Sequence, residues 1–120
     1  MEYEAWLKMT SDRNAQVVKT MSAYKDRLLL FDFGETLPGY VVTMNAEGLT
    51  PGQTVYQAGK LLVIADLIHG AALQLEHPEI CAAYDMDKDA AVKSRKHFLR
   101  YAKENGLTIA GMHLPPPGFK

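Results

Sequence analysis

The stretch TPGQTVYQAGKLLVIAD, residues 50–66, carries the strongest structural signal in the chain. Pro51-Gly52 opens it with a turn, and two apolar, β-branched runs follow, QTVYQA (53–58) and KLLVIAD (60–66). Only Gly59 separates them, so a hairpin is the natural reading. Leu61 to Ala65 is apolar throughout, as expected for a central strand covered on both faces. Gln53 stands at the mouth of the first strand and Asp66 directly after the second, two polar groups presented at strand ends.

Upstream, LLLFDF (28–33) and YVVTMNA (40–46) read as two more strands, with Pro38-Gly39 as punctuation. Before them, Glu2 to Met9 predicts a short helix with Tyr3, Trp6 and Leu7 on one side. A second helix follows, capped by Thr10 or Ser11, with Asp12 in its first turn and a stripe of Val17, Met21, Tyr24 and Leu28. Downstream, Asp87 caps a long helix that Gly106 ends, with Ala91, Phe98, Leu99 and Ala102 on one face. Leu107 to Ala110 predicts a final strand that delivers His113, followed by LPPPG. The expected order is helix, helix, four strands, helix, strand.

The 120 residues fit a single domain, 1–120, with a helical lead-in over 1–27 and a sheet-and-helix core over 28–120. A net charge of −1 with dispersed lysines and arginines gives no footprint for nucleic acid or an anionic membrane, so neither is an expected partner. The longest apolar run falls far short of the ~20 residues a membrane helix needs. One cysteine, Cys81, excludes an internal disulfide, reads as a part-buried structural thiol, and makes the cytoplasm the expected compartment.

The motifs and their order resemble the C-terminal half of a metallo-β-lactamase-fold hydrolase. In that family a TPGHT turn supplies a zinc-binding histidine, and a later strand ends in Gly-Asp, whose aspartate bridges two metals. A further strand ends in Gly-His, the last ligand, and runs into a Pro- and Gly-rich segment. Here TPGQT, the Gly59 hairpin, IAD with Asp66, a helix carrying Ser94-Arg95, and AGMH with His113 followed by LPPPG stand in that order. The resemblance implies an α+β fold, half of a four-layer αββα sandwich, as one largely antiparallel sheet with helices on its outer face. It marks Asp66 and His113 as metal ligands, vestigial or partial, and places Leu114, Pro115 and Pro116 beside a substrate pocket.

Two departures qualify what the resemblance implies. The family's first ligand cluster, an HxHxDH loop, does not occur; all four histidines (His69, His77, His97 and His113) follow Gln53. Gln53 itself stands where a histidine is expected, and an amide oxygen is a weak zinc donor. His69 and His77 lie near Asp66 in sequence and read as structural. The expectation is a domain with an incomplete metal site, inactive alone, with no cofactor held by the isolated chain and zinc only where the full site is completed. The alternative is one part of a working zinc hydrolase whose other ligands come from another segment; a small interaction module with relic site residues is a weaker third. Half of a sandwich would also leave an apolar sheet face open, so a homodimer or a separate N-terminal half is the expected partner.

Overall fold

A computed structural model describes residues 2–9 and 12–120. Its helices are α1 (Glu2–Lys8), α2 (Asp12–Ala23), α3 (Ala71–Gln74) and α4 (Lys88–Asn105). Its strands are β1 (Thr36–Leu37), β2 (Val41–Asn45), β3 (Thr54–Ala58), β4 (Leu61–Ala65) and β5 (Thr108–Gly111). Thr10 and Ser11, the expected caps of α2, lie outside the described residues.

The five strands form one sheet in the order β1-β2-β3-β4-β5, antiparallel except for the parallel pair β4–β5. Ala58 pairs with Leu61 across the β3–β4 turn, where Gly59 holds φ 59°, a position that two-residue hairpins give to glycine. Val55, Leu62, Ile64 and Ile109 turn to one face and bury themselves against Phe98 and Ala102 of α4. That helix begins where the Asp87 carboxylate accepts the Ala90 amide and ends at Gly106, in left-handed conformation at φ 58°. Both boundaries follow from local chemistry, a side-chain cap and a residue without a Cβ.

The opposite sheet face is half-buried at Val41, Tyr56, Leu61 and Val63. An apolar cleft of about 430 Å³ opens on that side, walled by Trp6 of α1, Met21 of α2, Leu28 to Phe33, and Tyr56. The lead-in helices therefore lie toward the face that α4 leaves uncovered.

Two expectations are corrected. LLLFDF forms no strand: residues 28–32 carry no regular structure, Phe33 enters a turn, and Leu29 is 87% exposed. The first strand is instead the two-residue β1, paired through the Pro38-Gly39 turn to β2. The stripe of α2 also stops short, because the helix ends at Ala23 and a 3-10 turn over Lys25–Arg27 follows, leaving Tyr24 exposed.

After β5 the chain folds back on itself. The Ile109 and Lys120 backbones exchange hydrogen bonds of 2.7 and 2.9 Å, and Ala110 bridges Phe119. No helix among the described residues is long and apolar enough to cross a membrane.

Candidate functional site

Parallel strands end at the same edge of a sheet, and this brings Asp66 and His113 together. Ala65 at the end of β4 pairs with Gly111 at the end of β5, and the Met112 amide donates to the Ala65 carbonyl at 3.2 Å. Asp66 stands one residue beyond β4 and His113 two beyond β5, and His113 Nε2 lies 3.2 Å from Asp66 Oδ1, both side chains a little over half buried. Because β3 runs antiparallel to β4, its first residues reach the same edge, and Gln53 shares a small cavity wall with Asp66. Folding thus gathers the three residues singled out by sequence.

Their presentation differs. Asp66 and His113 face the surface region, whereas Gln53 is 8% exposed, with its Nε2 buried and without a hydrogen-bond partner in the chain. The loop that delivers Gln53 is clamped to the start of α4. Gly48 passes so close that a Cβ there would sit 2.2 Å from the Ala91 nitrogen, while its carbonyl accepts the Asp87 amide at 2.8 Å. Ser94 adds a hydroxyl hydrogen bond to the Glu47 carbonyl at 2.8 Å.

His69 joins this edge. Its ring centre lies 5.1 Å from that of His113 and 4.9 Å, edge-on, from that of Tyr84. Burial lowers its pKa below the ordinary 6.5, helped by the neighbouring His113 and by Arg95 and opposed by Asp85 and Asp66. Its Nδ1 is buried without a partner in the chain. The turn that carries it is held by Gln74, whose Oε1 accepts the His69 and Gly70 amides at 2.7 and 3.1 Å. His77 forms an exposed pair with Glu79, and His97 stacks against Tyr101 on α4. Leu114 turns into the core at 7% exposure, whereas Pro115 and Pro116 lie at the surface together with Pro117. Among the described residues, no group of three or more His, Cys, Asp or Glu side chains is placed to hold a metal ion.

Two features of the site escape sequence reasoning. Ala65, immediately before Asp66, holds φ 46°, a left-handed conformation. In the family pattern this position is the glycine of Gly-Asp, and that substitution was the available signal. The second is Arg95, 1% exposed beneath the site. Its Nε donates to the Leu67 carbonyl at 2.9 Å, its Nη1 to Pro78 and Ile80 at 2.8 and 2.9 Å, and its Nη2 lies 3.7 Å from Asp85. Only the family helix, with its Ser94-Arg95 pair, hinted at it.

The chain superposes on AidC, a dizinc quorum-quenching lactonase in complex with a product, with a TM-score of 0.83 over 98% of this chain at 28% identity. The chain has the fold of part of a metallo-β-lactamase-superfamily hydrolase. A second solved structure, the hydrolase AbOPH of the beta lactamase superfamily, matches over 95% of this chain with a TM-score of 0.75 and 31% identity. The chain spans only 47% and 43% of those two proteins, less than half of each. The sequence matches no family model and no curated protein. The α+β metallo-β-lactamase half-fold expected from the motifs is therefore the one observed, with its mostly antiparallel sheet and α4 across one face.

Proposed function

We propose that this chain is a metallo-β-lactamase-like domain whose metal site is incomplete on its own, without hydrolase activity in isolation. It works as an assembled half, paired with a second copy or with a segment that carries the missing ligand cluster. The observation that carries this reading is the strand-end edge itself: Asp66 and His113 converge to 3.2 Å, while the third position holds an inward-turned glutamine amide. A catalytic zinc takes three protein ligands and keeps an open position for water. One carboxylate, one imidazole and a buried neutral amide do not fit that requirement, so no hydrolytic step is assigned to this chain alone. Zinc bound by a completed site would supply a polarised electrophile and an activated water; Asp66 and His113 are the residues of this chain that would hold it.

The second reading, one part of a working zinc hydrolase, draws support from the same pair. Both side chains keep ligand-type chemistry, remain partly open to solvent and sit side by side, and AidC is a dizinc lactonase. Metal analysis of the purified chain separates the two. Under the first reading the native chain retains well under one zinc per chain after gel filtration, and Gln53→His raises the bound fraction. Stoichiometric zinc on the native chain would sink the incomplete-site reading in favour of the second.

A further inference from the structure

The most unusual buried polar arrangement in this molecule lies behind the strand-end edge. Gln53 Nε2 and Asp85 Oδ1 are both buried without a hydrogen-bond partner in the chain, and both residues line the same small cavity. Ala46, Leu49, Leu67 and Ala91 make up the apolar part of its wall, with Asp66 and Arg95 completing it. Gln53 and Asp85 are more than nine-tenths buried, at 8% and 7% exposure. Asp85 cannot swing away to find another donor. Its Oδ2 already accepts the Ala82 amide at 2.9 Å and faces the Arg95 guanidinium at 3.7 Å.

Leaving a buried donor and a buried acceptor unpaired is costly, and native structures rarely do so. The two groups are chemically complementary: an amide N–H that must donate and a carboxylate oxygen that must accept. A ligand satisfying both has to accept one hydrogen bond and donate another. The cavity has a volume of about 10 Å³, at the lower end of the ~10–15 Å³ that one water requires. An ammonium or metal cation has no lone pair to offer the amide N–H, and any larger polar molecule exceeds the space.

We infer that this cavity is a binding site for one internal water, which accepts from Gln53 Nε2 and donates to Asp85 Oδ1. The water ties the TPGQT turn to the buried Asp85–Arg95 pair, so Gln53 acts as a positioning residue of the loop. The glutamine is thereby retained for a hydrogen bond inside the protein. This inference stands apart from the metal reading: it concerns Gln53 and Asp85 and holds whether or not zinc binds.

The test is carried out on the native chain, labelled with nitrogen-15, by recording water cross-relaxation to the glutamine side-chain amides. Gln53 Nε2 protons are expected to show a cross-peak of the sign given by a long-lived water, rather than the sign of chemical exchange. Gln74 Nε2, which donates to the Ile80 carbonyl at 2.8 Å, serves as the buried control without one. A high-resolution crystal structure is expected to place one ordered water within hydrogen-bond distance of both atoms. Gln53→Met, which keeps the volume and removes the donor, is expected to lower the unfolding midpoint by several degrees. A Gln53 amide without the water cross-peak overturns the inference, and so does a crystal structure in which Nε2 bonds Asp85 directly. A Gln53→Met chain that melts at or above the native midpoint counts equally against it.

Discussion

Ala65 and Gln53 each depart from what their position in a metallo-β-lactamase-fold domain favours, and each departure has a physical consequence. A left-handed conformation costs a non-glycine residue about 1–2 kcal/mol, because its Cβ crowds the following carbonyl. Ala65 bears that cost at φ 46°, one residue before Asp66. Ala65→Gly is therefore expected to raise stability by about 0.5–1 kcal/mol, after allowing for the extra freedom glycine gives the unfolded chain. Urea unfolding of the two chains measures this; a glycine variant with a lower midpoint and unchanged slope would show that Ala65 carries no net strain. At Gln53 the residue type alone marked a weak donor, since an amide oxygen competes poorly with imidazole for zinc. That its Nε2 is enclosed in the protein was beyond the reach of sequence, because burial at this position is created by a loop packing on a helix far along the chain.

Among the elements, the segment between β4 and α4 depends on one side chain. Residues 66–87 contain only the four-residue α3, and Arg95 gathers them by donating to the carbonyls of Leu67, Pro78 and Ile80 while facing Asp85. Removing one member of a buried ion pair leaves the other uncompensated, which costs about 3–5 kcal/mol. Arg95→Leu is expected to lose that much, and hydrogen exchange should quicken first at Ala82, whose amide donates to Asp85. An Arg95→Leu chain within about 1 kcal/mol of the native one would contradict this role, since ordinary surface substitutions already span that range. The same elements show what could be read in advance. Leu61–Ala65, the Gly59 hairpin and α4 with its Asp87 and Gly106 boundaries were legible because local chemistry specifies them. LLLFDF was not, because its composition reports a taste for apolar packing rather than for pairing, and residues 28–33 line the cleft beside α1 and α2 with Leu28, Phe31 and Phe33 only half-buried and Leu29 and Leu30 exposed. The meeting of Asp66 with His113 depends on a parallel pairing across a long crossing; here it was legible only through the family pattern. Arg95 and Asp85 had no periodicity to betray them, since their partners are mostly backbone carbonyls and amides of distant residues.

The whole molecule is larger on its outside than its mass requires. It exposes 7892 Å² at 13.3 kDa, whereas a folded monomer of that mass exposes about 6450 Å². Its radius of gyration is 14.9 Å against roughly 13.6 Å for a compact domain of this length. The surplus surface, together with Leu29 at 87% and Leu30 at 58% exposure, supports the proposed association through the sheet face that α4 leaves uncovered. Light scattering at micromolar concentration is expected to give twice the chain mass for a homodimer, or the chain mass with rapid aggregation where a different half is required. A well-dispersed, stable monomer would remove both forms of the proposal. The returning tail bears on colloidal behaviour. β5 is the last strand of the sheet, and an outer strand with free amides and carbonyls is a template on which other chains stack. The Ile109–Lys120 hydrogen bonds and the Ala110–Phe119 bridge occupy that template from within. Deleting residues 118–120 is accordingly expected to shorten the time to visible turbidity on storage at moderate temperature, far more than it shifts the melting point. The last few residues would then act as a guard against fibril-like growth, and a truncated chain that stays clear as long as the native one would deny them that role.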